Sequence, residues 1–268
     1  MHNELIERAV TMSQFHSELG LKRTDLQYCR LLEDSANPQV YSSNHMRSIT
    51  ASSADELNTM MRQIDVASEH LPYRHFVLDS LTPRPVAAFL LLNEYSEYAV
   101  TLQMILTGEL KHHSSLPKAT LHPVSSDTDW SALRDLVLAD HAEGARTKNA
   151  LDPNVTDGIV ASYRAKAEHC QFFLAELDGT ICAYGSGTSA PDSMGLGMGM
   201  VEDLFTLPSY RGRGLASLII DRCVEFCRSR GAGDILIGSH ADQPPKHLYN
   251  KLGFEPAFVT RNLIKHFS

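Results

Sequence analysis

The sequence has no excess of basic charge: 24 Lys and Arg stand against 32 Asp and Glu, a formal net charge of −8. Nucleic-acid binding needs a basic face, so that function class is not expected, whereas a cationic small substrate would be steered favourably at long range. There is no CxxC pair and no HExxH or comparable ligand spacing, although 5 cysteines and 13 histidines are present. No metal site is therefore expected, and the adjacent His112 and His113 read as surface residues. There is no long hydrophobic run either. The longest, Val86 to Leu92, is far too short to span a membrane. The N-terminus shows no signal peptide; Leu5, Ile6, Ala9, Val10 and Met12 lie among polar residues as in an amphipathic helix. These absences point to the cytoplasm, and low-complexity tracts are missing too.

What is present is an ordinary globular composition, 43% hydrophobic and 21% charged over 268 residues, enough for one large domain or two small ones. The odd number of cysteines (Cys29, Cys170, Cys182, Cys223, Cys227) argues for buried thiols rather than a disulfide framework. Cys223 and Cys227 share a helix face with Leu215, Leu218, Ile219 and Phe226.

Two halves meet at a polar seam, Lys111 to Lys118, giving expected domains of 1–115 and 116–268. In the second half, Ala119 to Val124 reads as a strand, then a helix capped by Asp127 or Asp129, then a helix after Pro153. Gln171 to Leu177 and Thr180 to Thr188 flank Asp178-Gly179, a strong hairpin signal. A Gly- and Met-rich loop, Ser189 to Gly199, leads to a strand from Met200 to Leu207. A helix from Leu215 to Arg230, a strand from Asp234 to Gly238, a helix opened by Pro244 and Pro245, and a strand from Ala257 to Ile264 follow. The first half echoes this order: strands at Val40–Ile49, His75–Asp79 and Tyr98–Leu106, helices at Asp55–Ala67 and Pro85–Asn93. It has no glycine-rich loop, so no chemistry is assigned to it.

The chemistry centres on the run Val201-Glu202-Asp203-Leu204-Phe205-Thr206-Leu207-Pro208-Ser209-Tyr210-Arg211-Gly212-Arg213-Gly214-Leu215-Ala216. It reads as a strand, a basic glycine turn and a helix N-terminus. Unpaired N–H groups and the partial positive charge of a helix start suit phosphate. Gly212 and Gly214 let the backbone curl round an anion, and Arg211 and Arg213 add directional charge. The turn lacks GxxxxGK[ST], so it is not a nucleoside triphosphatase loop. Gly195-Leu196-Gly197-Met198-Gly199 precedes a strand rather than a helix, which makes it a connection and not a dinucleotide fingerprint.

Arg211-x-x-Gly214-x-Ala216, with its Pro-x-Tyr lead-in, resembles the [R/Q]-x-x-G-x-[G/A] signature of the GNAT superfamily of N-acetyltransferases. Leu248-Tyr249-Asn250-Lys251-Leu252-Gly253-Phe254 resembles that superfamily's second signature, as does the element order from about residue 119. The sequence departs from it at Asp242, where Asn is frequent, and at Pro245, where a small residue is usual.

The resemblance implies an α/β GNAT fold with a twisted mixed sheet, preceded by a smaller, degenerate GNAT-like α/β domain. It implies acetyl-CoA as cosubstrate, with no metal, and a small-molecule primary amine as acceptor, attacked directly in a ternary complex. The pantetheine arm would lie between two splayed strands, with Leu204 and Phe205 N–H groups on the thioester carbonyl and Thr206 and Leu207 on the arm. Arg211, Gly212, Arg213, Gly214, Leu215 and Ala216 would take the pyrophosphate, with Asp242 near the thiol arm. Tyr249 occupies the general-acid position. The Glu-Asp-x-Phe run resembles that of diamine and polyamine acetyltransferases, which makes Glu202 the preferred base; by simple alternation Asp203 lies on the opposite strand face, so one of the two reaches the acceptor and the other a structural partner, and the sequence does not fix which. A CoA-sensing or interaction protein, or a protein-modifying acetyltransferase, remains the alternative reading. Nothing in the sequence fixes the acceptor or the oligomeric state.

Overall fold

The computed structural model describes residues 2–111, 117–144 and 153–267. His112, His113 and most of the polar seam lie outside the described residues. The chain divides into two compact units, 1–103 with 239–246 and 256–268, and 104–238 with 247–255. No helix among the described residues is long and apolar enough to cross a membrane.

The first unit opens with α1 (His2–Glu18) and a hairpin of β1 (Lys22–Asp25) and β2 (Arg30–Glu33). β3 (His45–Arg47) pairs antiparallel with β2 and parallel with β4 (Tyr73–Leu78). The final strand, β11 (Glu255–His266), runs antiparallel to β4, with β5 (Ser96–Leu106) beside it. α2 (Ala54–Ala67) starts at a capping box. Ser53 accepts from the Glu56 N–H, and the Glu56 carboxylate accepts from the Ser53 N–H, which quiets two of the orphan donors of the first turn. Met60 and Ile64 of α2 and Val86 and Leu90 of α3 (Pro85–Leu92) bury their side chains in one core with Leu31, Met46, Phe76 and Leu263.

The sequence reading differs here in two respects. The expected strand Val40–Ile49 is only three residues long. Asn44 donates to the Asn37 and Val40 carbonyls and accepts from the Asp34 N–H, which holds the preceding residues in a turn, while Ser48 leaves the extended region at φ 53°. The β1–β2 hairpin was not anticipated, because its exposed strand Lys-Arg-Thr-Asp carries no hydrophobic alternation.

The second unit follows the expected order. It holds β6 (Thr120–Pro123), α4 (Asp127–Gly144), α5 (Pro153–Ala165), β7 (Cys170–Leu177), β8 (Thr180–Ser189), β9 (Met198–Thr206), α6 (Leu215–Ser229), β10 (Asp234–His240) and α7 (Pro245–Lys251). The sheet order is β6-β7-β8-β9-β10, antiparallel except for the β9–β10 pair, which makes it a mixed sheet. Asp178 and Gly179 both take positive φ, 54° and 76°, as a two-residue turn between twisted strands requires. The cap of α4 is Ser126 rather than either aspartate: its hydroxyl accepts from the Asp129 N–H while the Asp129 carboxylate accepts from the Ser126 N–H.

Helix α6 lies unusually close to the sheet. A Cβ on Gly185 would come 2.6 Å from Ile219 Cγ2, and one on Gly199 would come 2.6 Å from Cys227 Cβ. Glycine in these strands therefore serves close packing. The run Gly195–Gly199 divides accordingly: Gly195 ends a short three-ten turn, and Gly199 lies inside β9 against α6.

Candidate active site

The parallel register of β9 and β10 runs from Met198↔Asp234 to Val201↔Ile237 and stops there. Beyond that point β9 continues through Glu202, Asp203, Leu204, Phe205 and Thr206. The strands thus part at the residues assigned to the thioester and its arm. A bulge marks the same place. Ser186 pairs with Glu202 and Tyr184 with Phe205, so two residues of β9, Asp203 and Leu204, face the single Gly185 of β8. Asp203 takes φ 58°, a left-handed conformation that aspartate tolerates better than most residues.

The bulge changes the expected orientation of the acidic pair. Simple alternation would send Glu202 and Asp203 to opposite faces. Instead the Asp203 carboxylate accepts a hydrogen bond at 3.1 Å from Ser186 Oγ, and Ser186 is the cross-strand partner of Glu202. The two carboxylates are electrostatically coupled. Desolvation, followed by the Asp203 charge, pushes the half-buried Glu202 carboxyl up to about 8 against relief from Lys166. Tyr249, on α7, is buried, and its ring packs near Phe254 with centroids 6.3 Å apart. Burial, followed by the nearby Glu202 charge, drives its phenol well above the usual tyrosine range. Glu202 and Tyr249 are therefore brought together.

The glycine turn is built as the sequence suggests. Pro208–Tyr210 form a three-ten turn, Gly212 and Gly214 take φ 75° and 83°, and Gly214 is the N-cap of the 15-residue α6. No atom lies within 4 Å of a Cβ placed on Gly212, and one on Gly214 would come 3.2 Å from Pro117 Cδ. The backbone at Gly212 is thus open to a ligand, and the orphan N–H groups of α6 face the same turn. This donor set suits a pyrophosphate.

Arg211 is already engaged. Its Nε donates to the Thr206 carbonyl at 3.0 Å, and its Nη1 and Nη2 reach the Glu143 carboxylate at 2.8 and 2.6 Å. Arg213 is freer: it is exposed, lies over the Tyr210 ring and stands 3.9 Å from Asp178. Asp242 belongs to the first unit, where it is exposed and lines a cleft of 660 Å³ with Glu97, Tyr98, His240 and Gln243.

The sequence reading missed the groups behind the bulge. Tyr184 on β8 donates to Asp140 Oδ2 on α4 at 3.2 Å. Tyr163 on α5 is buried, and desolvation, followed by the Asp203 and Tyr184 charges, pushes its phenol well above the usual tyrosine range. Desolvation pushes the Asp140 carboxyl up to about 6, helped by the Glu143 and Asp203 charges and opposed by Tyr184 and Arg211. No local spacing could have announced these contacts, which join four elements.

A mixed sheet whose parallel strands part at an acidic bulge, beside a glycine turn at a helix start, has a shape that suits acyl-CoA. Residues 130–254 match the acetyltransferase (GNAT) family. That segment belongs to the GNAT family, and the chain is an acetyl-CoA-dependent N-acetyltransferase. It is 24% identical over 141 residues to streptothricin acetyltransferase of Streptomyces lavendulae, covering 52% of this chain and 71% of that one. It is 43% identical over 61 residues to glucosamine 6-phosphate N-acetyltransferase of Trypanosoma brucei brucei, covering 22% and 40% of the two chains. The solved GCN5-related N-acetyltransferase of Kribbella flavida shares the fold at 15% identity and a TM-score of 0.71, covering 97% of this chain and 95% of its own.

Proposed function

We propose that the chain transfers the acetyl group of acetyl-CoA directly to a primary amine of a small, cationic molecule within a ternary complex. The observation that carries this reading is that Glu202, where β9 runs on past its register with β10, and the buried Tyr249 lie near enough for the Glu202 charge to act on the phenol. A carboxylate pushed up to about 8 is a base matched to an amine near neutral pH, and a phenol held protonated is an acid for a departing thiolate. The relatives acting on streptothricin and glucosamine 6-phosphate support an amine acceptor.

In this reading the N–H groups of Gly212 to Ala216 hold the pyrophosphate, with Arg213 adding charge from outside the turn. The N–H groups of Leu204 and Phe205 polarise the thioester carbonyl, and that of Thr206 binds the arm; the Leu207 N–H, expected to join it, instead donates to the Cys182 carbonyl at 2.9 Å. Acetyl-CoA supplies the activated acyl group. Glu202 removes the ammonium proton, and Tyr249 donates to the sulfur. The segment before residue 116 is a degenerate GNAT-like domain without chemistry of its own. The free, buried cysteines suit a cytoplasmic setting.

The test is thiol release from acetyl-CoA across an amine panel that includes streptothricin, glucosamine 6-phosphate, spermidine and lysine-bearing peptides. Turnover of small amines supports the reading. Turnover of peptides alone would make the enzyme a protein acetyltransferase, and CoA binding with no turnover would make the chain a sensor.

A further inference from the structure

Ser186 on β8 is 0% exposed, and a hydroxyl buried so completely needs partners. It has two, and both belong to the bulge of β9. Its Oγ lies 3.2 Å from the Glu202 carbonyl oxygen and 3.1 Å from Asp203 Oδ2. These acceptors flank one peptide link: the Glu202 carbonyl forms it, and the Asp203 side chain follows directly. A serine hydroxyl has a single proton to donate. A charged acceptor makes the stronger bond, so the proton goes chiefly to the carboxylate, with the carbonyl within reach of the same hydroxyl.

The bulge needs such a hold. Asp203 turns the strand at φ 58°, where glycine would stay without help and a residue with a Cβ does not. Gly185, the neighbour of Ser186, contributes from the same strand. A Cβ there would come 2.7 Å from Leu204 Cδ2, so the Leu204 side chain lies over bare backbone. Two consecutive residues of β8 thus grip the bulge, one by a hydroxyl and one by making room. A bulge bends its strand and re-aims the groups beside it. Here those groups are Glu202, just before the turned residue, and the N–H groups of Leu204 and Phe205, just after it.

We propose that Ser186 is a positioning residue for acetyl transfer. By tying the Glu202–Asp203 peptide to β8, its hydroxyl aims Glu202 at the acceptor amine and the Leu204 and Phe205 N–H groups at the thioester. The proposal rests on the reading of Glu202 as the base. Ser186 itself moves no proton and acts only through β9. Without the hydroxyl the peptide is free to rotate towards regular extended geometry, which takes Asp203 out of the left-handed region and turns Glu202 with it. Gly185, Ser186 and the whole bulge belong to one compact unit.

Ser186→Ala removes one oxygen from the chain, and thermal unfolding checks that the variant folds. The first measurement needs no acceptor. In crystal structures of the parent and of Ser186→Ala, the parent should keep Asp203 at positive φ with the hydroxyl on its carboxylate, and the variant should show the peptide turned or Glu202 displaced. A variant that superposes on the parent at both residues overturns the proposal. The second is single-turnover acetyl transfer to the amine with the fastest turnover in the panel. Ser186→Ala should slow it by about 10–100-fold, the scale of an ångström of misplacement, with unchanged KM for the amine and unchanged CoA affinity in calorimetry. A rate that holds, or a loss confined to KM, overturns the proposal.

Asp203→Ala removes the acceptor of the same bond, so the double variant should be no slower than the slower single one. A loss equal to the product of the two overturns the proposal. Asp203→Asn keeps an acceptor oxygen and should lose less than Asp203→Ala; an equal or larger loss overturns it by making the Asp203 charge the essential feature. This pair of variants decides the matter alone if Ser186→Ala does not fold. Glu202→Gln is measured beside them. Full activity there removes the base reading, whereas inactivity there with a fully active Ser186→Ala removes only the role of Ser186.

Discussion

Ser186 Oγ donates to the Asp203 carboxylate at 3.1 Å, at the one residue of β9 whose φ, 58°, lies in the left-handed region. The bond and the backbone conformation support each other, since a left-handed residue in a strand persists only where its surroundings hold it. Asp203→Asn should keep both. Asp203→Ala should lose the bond and face the left-handed penalty, at a cost of about 1–2 kcal/mol. Urea unfolding of the two variants side by side decides it, and equal losses would show that the bulge does not depend on the side chain.

Glu202 makes stability depend on pH in a definite direction. Its carboxyl is raised to about 8 from the ordinary 4.5 of a glutamate, so the fold favours the protonated form. That contribution is fully present below the unfolded value and is lost as pH rises through about 8. Glu202→Gln, always neutral, should remove this loss. Its melting temperature relative to the parent should therefore be higher at pH 9 than at pH 4. The acidic limb of the pH–rate profile should flatten in the same variant.

Tyr249→Phe removes one hydroxyl and keeps the ring beside Phe254. Folding and CoA affinity should survive. The single-turnover rate should fall by about 10²-fold or more if the phenol protonates the thiolate. A leaving group of lower pKa than CoA should narrow the gap between variant and parent, and a gap indifferent to the leaving group would argue for a packing role.

Glu143 and Arg211 give a two-sided experiment on the cofactor. If Arg211 leaves Glu143 to reach the pyrophosphate, Glu143 competes with the ligand. Glu143→Gln should then tighten CoA binding in calorimetry, while Arg211→Ala weakens it by roughly 10–100-fold, the scale of one charged hydrogen bond. If Arg211 only fixes the turn through Glu143 and the Thr206 carbonyl, both variants should weaken binding together.

Gly199→Ala places a Cβ 2.6 Å from Cys227 Cβ, an atom anchored to the α6 backbone. The helix or the strand must shift, at about 1–3 kcal/mol for overpacking of this kind. Denaturant midpoints measure the loss. CoA affinity should fall as well, because the start of α6 moves with its body.

The second unit was legible in the sequence because its signals are local. Asp178-Gly179 announces a turn, Gly212 and Gly214 announce a cradle, and Leu215 to Phe226 show a helix face. The site was legible only where its residues are consecutive. The bulge at Asp203 was not foreseen, since an extra residue in one strand is defined by its partner, here Gly185, and not by its own sequence. Asp140, Tyr163 and Tyr184 are 21 to 44 positions apart and meet only through packing. Val40–Ile49 misled for the opposite reason: Asn44 bonds locally and takes the chain out of the ladder.

The glycine seam under α6 has an evolutionary consequence. Where a strand glycine lies directly under Ile219 or Cys227, the depth of the helix is set by bare strand backbone and not by the rotamer of a strand side chain. Changes in the residues that meet the acceptor can then accumulate without disturbing the grip on the nucleotide. The seam separates the handle from the tool head, so a library randomised around Glu202 and Tyr249 should change the preferred amine while acetyl-CoA affinity stays level.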